Sequence, residues 1–112
     1  MSKAPKALEA DVFSALAHPE RRSLLIALRG GPLTASELAA GRAIARSSVS
    51  EHLQALRLAG LVVSEKRGRE RYYHLDPRPL TEVGSWLNSM LAFWTRRLDD
   101  LEALAKRKPK AG

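Results

Sequence analysis

Apolar residues recur along the chain with two different periods, and the change between them falls at Gly60. Leu8, Val12, Phe13 and Leu16 are spaced i, i+4, i+5 and i+8, which predicts a helix from about Ala7. His18-Pro19 ends it and starts a second helix, because proline is tolerated in a first helical turn and not later. That second helix carries Leu24, Leu25 and Leu28, and Arg29-Gly30-Gly31-Pro32 breaks it. Thr34 or Ser36 can cap a short third helix over Glu37-Leu38-Ala39-Ala40, and Glu37 stands three residues after Thr34, as a capping box requires. Val49, Leu53 and Leu56 form the apolar stripe of a fourth helix, which Gly60 is placed to end. Ser47 or Ser48 can cap its start. Arg46, Ser47, Ser48, Ser50, Glu51, Gln54 and Arg57 occupy its other faces.

Beyond Gly60 the pattern is extended. Leu61–Lys66 and Arg71–Leu75 are β-rich runs on either side of a turn, Arg67-Gly68-Arg69-Glu70. Alternation assigns Tyr73 and Leu75 to the core face and leaves the turn exposed. Asp76-Pro77-Arg78-Pro79 ends the hairpin. From Leu80 a long helix carries Val83, Trp86, Leu87, Met90, Leu91, Trp94, Leu98, Leu101 and Leu104. The expected organisation is a flexible arm over residues 1–6, one domain over 7–105 and a basic, disordered tail over 106–112. This order is that of a winged helix-turn-helix, mainly α with a small β-hairpin wing. Its third and fourth helices form the helix-turn-helix, and residues 61–75 form the wing.

Composition sharpens this reading. A chain of 112 residues suits one domain and is too short for a two-domain dehydrogenase or a (β/α)₈ barrel. No apolar run approaches the length of a membrane span, and the start, Met1-Ser-Lys-Ala-Pro, lacks the apolar core of a secretory signal. A cytoplasmic location with no membrane partner is expected. The net charge of +7 favours an anionic partner, and residues 46–78 carry seven basic and four acidic side chains. Duplex DNA fits the order of elements, since a major groove admits one helix and exposes its base edges to that helix's first turns. Arg46, Ser47, Ser48, Ser50, Glu51 and Gln54 are then the candidates on the helix. Arg67, Arg69 and Arg71, with Lys66 beside them, are the candidates on the wing.

Three segments resemble a known family. Ala15-Leu-Ala-His-Pro-Glu-Arg-Arg and the leucine-rich helix after it resemble the opening of ArsR/SmtB-type bacterial repressors. Ser47-Ser-Val-Ser-Glu-His-Leu-Gln-Ala-Leu-Arg-Leu-Ala-Gly-Leu-Val is similar to their recognition helix and first wing strand, and Gly68-Arg-Glu-Arg-Tyr-Tyr-His-Leu to the end of their wing. The three occur in the family's order and span about residues 11–98. The resemblance implies a homodimeric transcriptional repressor that binds an imperfect palindrome, with dimer contacts from the first and last helices. Leu8, Val12, Trp86, Met90, Trp94 and Leu98 are the dimer candidates. It also implies release by an inducer, often a metal. The family's thiolate site needs cysteine, and this chain has none; its other common site uses histidine on the last helix, and residues 79–112 hold none. The chain therefore looks like a metal-independent, autorepressor-type member with no cofactor. An oxygen-rich site at Asp99, Asp100 or Glu102 is the remaining metal alternative.

Blander readings stand beside these. Ser47 and Ser48 can cap without touching a base, and Glu51 can pair with an arginine instead of accepting from a cytosine amino group. Arg21 and Arg22 can meet phosphates or pair with Glu20. The stripe of Trp86, Met90 and Trp94 is expected to be dimer interface and core, or to line a small-molecule effector pocket between the long helices. A nonspecific or architectural DNA binder, or a protein-interaction module, is the alternative function. An enzyme is not expected: the serines lack acid and histidine partners at triad spacing, and no P-loop or HExxH occurs.

Overall fold

The computed structural model of the chain describes residues 10–106. The expected arm over 1–6, the dimer candidate Leu8 and the tail beyond Lys106 lie outside the described residues. Among the described residues, those up to Glu82 form one compact unit and those from Val83 form a second.

The first unit begins with two short helices. Helix α1 spans Ala10–Leu16 and α2 spans Pro19–Ala27. His18 between them is extended, and Pro19 occupies the first turn of α2, where its missing N–H is no loss. A 3₁₀ turn, Leu28–Gly30, closes α2. Strand β1 follows, only Leu33–Thr34, and then α3, Ala35–Ala39. The expected capping box is formed in full. Thr34 Oγ1 accepts from the Glu37 N–H at 3.1 Å, and Glu37 Oε1 accepts from the Thr34 N–H at 2.8 Å. Thr34 thus ends a strand and caps a helix at once.

Helix α4, Arg46–Leu58, buries Val49, Leu53 and Leu56 completely. Each such side chain contributes about 1.5–3 kcal/mol relative to exposure. Leu24 of α2 and Leu61 share that core with no exposure, so α4 is fixed from one side by α2 and held at its end by the chain that leaves it. That end is a Schellman motif: the Leu61 N–H donates to Leu56 O and the Gly60 N–H to Arg57 O, both at 3.0 Å. Gly60 has φ 81, a conformation that only glycine adopts without strain. The start differs from expectation. Ala45, not a serine, is the N-cap, and no side chain caps the helix.

Strands β2, Val62–Arg67, and β3, Glu70–Leu75, form the hairpin, with Gly68 and Arg69 as a two-residue loop. Gly68 has φ 62, and among the described residues no non-glycine residue has positive φ, so Arg69 does not, which is the sign pattern of a type II′ turn. The sheet has three strands in the order β1-β3-β2, because β1 pairs antiparallel with β3 at Leu33↔Tyr73 and Thr34↔Tyr72. The long helix α5 spans Arg78–Lys106, roughly 43 Å at the α-helical rise. Among the described residues, no helix is long and apolar enough to cross a membrane.

Candidate nucleic-acid interface

At 100° per residue, the side chains of α4 sort into three arcs. Val49, Leu53 and Leu56 make the buried one. Arg46, Ser47, Ser50, Glu51, Gln54 and Arg57 make a second, exposed throughout. Ser48 falls outside it: half-buried, it lies on the flank with His52 and Ala55. The uncapped start leaves the backbone N–H groups of Arg46 and Ser47 without acceptors among the described residues, whereas those of Ser48 and Val49 both donate to Ala45 O. An exposed helix start with free N–H groups suits a phosphate oxygen. Glu51 has no cationic partner within 4.0 Å among the described residues, so the internal ion pair considered for it is not formed. Gln54 is drawn sideways, accepting from Arg57 Nε at 3.2 Å.

The wing's cations divide by strand register. Lys66 and Arg71 are directly opposite one another, on the face that carries Val62, Tyr73 and Leu75 further in. Arg71 Nη1 donates to Ser64 Oγ at 3.0 Å. Arg67 is on the other face, opposite Glu70. It pairs with Glu65 at 2.8 Å and lies over the Tyr72 ring, 5.1 Å from its centroid. Arg69 sits at the tip with no partner within 4.0 Å among the described residues. One basic patch in the sequence is therefore an adjacent pair of cations, a free tip and an arginine already engaged.

Two arginines that the sequence placed loosely are anchors. Arg21 Nε donates to His52 Nδ1 at 3.1 Å, and Arg22 Nη1 donates to Leu16 O at 2.8 Å; neither pairs with Glu20. Glu20 instead meets Arg42, at 3.5 Å. Arg42 stands in the turn between α3 and α4, where its Nε donates to Leu38 O and its Nη1 to Ser23 Oγ at 2.8 Å. Nothing in the periodicity marked it, because it belongs to no helical face. His52 accepts the Arg21 bond at Nδ1, and its ring lies 5.9 Å from that of His18. At the foot of the wing Asp76 Oδ1 accepts from the Arg78 N–H at 3.1 Å, and Oδ2 pairs with Arg78 Nη2 at 2.6 Å. These bonds from Arg78 hold the Asp76 carboxyl at about 2, below its ordinary 3.8, and the same pair raises Arg78.

The dimer candidates differ in what they can offer. Val12 is buried, 2% exposed, on the inner side of α1. On α5, Trp86, Met90, Trp94 and Leu98 are 39–62% exposed, as are Leu87, Leu91, Phe93, Leu101 and Leu104. Phe93 and Trp94 meet edge to face, 5.3 Å between centroids. Asp99, Asp100 and Glu102 form no metal-ligating cluster, and no group of three or more such residues occurs among the described residues.

Against known proteins, residues 16–65 match the model of a helix-turn-helix domain. The chain is 40% identical, over 77% of its length and 78% of the other's, to the HTH-type transcriptional regulator Rv2034 of Mycobacterium tuberculosis. It is 34% identical to the transcriptional repressor SdpR of Bacillus subtilis, over 81% of this chain and 98% of that one. The crystal structure of an ArsR family transcriptional regulator superposes with a TM-score of 0.73 at 36% identity, covering 85% of this chain and 97% of that one. A Mycobacterium bovis protein described as a homodimeric winged helix-turn-helix DNA-binding domain, possibly of the ArsR family, matches with a TM-score of 0.60 at 25% identity, over 74% and 77% of the two chains.

Proposed function

The chain belongs to the ArsR family of winged helix-turn-helix transcriptional regulators, and we propose that it works as a homodimeric repressor that reads a palindromic operator in cytoplasmic DNA. The observation that carries this reading is the exposed arc of α4. Arg46, Ser47, Ser50 and Glu51 stand on one face of a helix whose opposite face is locked in the core. A rigid helix with unengaged polar groups at its start is what groove reading needs. Glu51 fits a cytosine amino group, the partner that makes a carboxylate acceptable at a DNA surface.

Lys66 and Arg71 support phosphate binding by the wing. Like charges directly opposite on two strands repel, and a phosphate oxygen between them converts that cost into attraction. Arg69 at the tip adds a phosphate or minor-groove contact. The exposed apolar length of α5 supports a second copy as its cover, because a helix this apolar on its surface marks an interface. In the dimer the two recognition helices address half-sites about 10–10.5 bp apart. No metal is needed, since the chain offers neither thiolate nor last-helix histidine ligands.

The test is binding of metal-free protein to its own upstream DNA in excess random competitor, repeated with a panel of divalent metals. Competitor-resistant binding that metals leave unchanged is the expected result. Release by one metal overturns the metal-independent assignment, and binding erased by competitor favours an architectural role.

A further inference from the structure

We propose that the groove between α1, α2 and α4 is an effector site for a small amphipathic carboxylate, and that Arg21 both binds the carboxylate and relays its presence to α4. The relay rests on α4 being the helix that reads DNA; the binding does not. The groove is open to solvent, has a volume of about 230 Å³ and is lined by Ser14 and Ala15 of α1, Arg21 of α2, and Ala55, Leu58 and Ala59 of α4. Leu58 is 71% exposed at its rim, an apolar side chain ending the otherwise polar outer arc of α4. At roughly 30 Å³ per water the space equals about eight waters, enough for a carboxylate with a five- or six-carbon body.

The lining sets the ligand's chemistry. It has one cation, one hydroxyl and otherwise hydrocarbon, so a planar acid with an unbranched or aromatic apolar body leaves no polar group unpaired. A sugar phosphate or nucleotide would press hydroxyls against alanine and leucine, at a cost for each unmade hydrogen bond. Arg21 Nε donates to His52 Nδ1, while its two terminal nitrogens have no acceptor among the described residues. A carboxylate can therefore approach the guanidinium fork, with the Ser14 hydroxyl as a second donor.

Coupling follows when the carboxylate takes the guanidinium side-on, through one terminal nitrogen and Nε together, because Nε is the nitrogen that donates to His52. A charged bidentate acceptor in that position displaces the imidazole from Arg21. That hydrogen bond ties α2 to the flank of α4, so its loss frees the angle at which α4 presents Arg46, Ser47 and Ser50. Occupancy of the groove accordingly lowers operator affinity.

The experiment is a backbone-amide NMR titration of the full chain with hexanoate and benzoate, using hexanamide as the uncharged control. Hexanoate is expected to give saturable shifts at Ser14, Arg21, His52, Ala55 and Leu58. Hexanamide binding is expected to be weaker by about tenfold or more, the worth of a charged hydrogen bond. Arg21→Gln should weaken hexanoate similarly, and Leu58→Glu, on an exposed position that folding does not depend on, should weaken it by repulsion. Saturating hexanoate should reduce operator affinity of the native chain by about fivefold or more and leave that of Arg21→Gln unchanged. Shifts that map elsewhere, do not saturate, or are equalled by hexanamide overturn the site. Hexanoate binding with unchanged operator affinity overturns the relay. A chain that binds no operator even without hexanoate refutes the DNA reading alone, and the titration still decides the groove.

Discussion

Arg46 and Arg69 are both exposed cations, yet their positions assign them different work. Arg46 opens the outward arc of α4 and is proposed to meet base edges, so Arg46→Ala should cost about 1–3 kcal/mol on a cognate duplex and relax preference at one base position. Binding to a panel of single-base operator variants measures both effects. Arg69 stands at the wing tip, with phosphate as its proposed partner; Arg69→Ala should weaken all duplexes alike and reduce the salt slope by about one. Arg67→Ala should do less than Arg69→Ala, because Arg67 must leave Glu65 and Tyr72 to reach DNA. A titration of Kd against salt for the two variants makes that comparison. Asp76 gives a pH signature. Its carboxyl titrates at about 2 in the fold, below the ordinary 3.8, so its pair with Arg78 stabilises above about pH 4. That contribution disappears as pH falls through about 2, and Asp76→Asn should remove it from acid unfolding curves.

The helices were legible in the sequence wherever a long apolar period existed. Val49, Leu53 and Leu56 marked α4, and Thr34 with Glu37 marked the start of α3. Strand β1 was not legible, since two residues carry no period and Leu33–Thr34 is a strand only because Tyr73 and Tyr72 pair with it. The cap of α4 was misread for a related reason. Serines are good caps, but the φ/ψ break falls at Ala45, so Ser47 and Ser48 are inside the helix. The wing's strand limits were close to those expected, whereas the face of each arginine depends on register, which Gly68 sets through the turn. Arg21 and Arg42 were out of reach, because their partners His52 and Ser23 are distant in sequence. The capping box offers a stability test. Thr34→Ala deletes the side-chain acceptor at the Glu37 N–H and should cost about 1 kcal/mol, read as a lowered urea midpoint. No change in the midpoint would mean that β1 pairing, not the cap, holds this corner.

In the proposed dimer, α5 pairs with its own copy and each protomer carries one α4 to the DNA. Trp94 is 53% exposed on α5, inside the proposed seam. Trp94→Asp places a charge there and should shift sedimentation from dimer to monomer at micromolar concentration, with operator affinity falling as the second half-site is lost. A variant still dimeric would move the seam off this face. The net charge of +7 ensures some attraction to any duplex, so affinity alone proves little. The decisive measurement is the ratio of Kd for random duplex to Kd for the chain's own operator, taken at one physiological salt concentration. A ratio of about 10³ or more is expected, the ordinary margin of a specific reader. A ratio within about tenfold, less than a single base-edge contact pair can supply, would contradict specific reading and leave a basic winged helix that holds DNA without reading it.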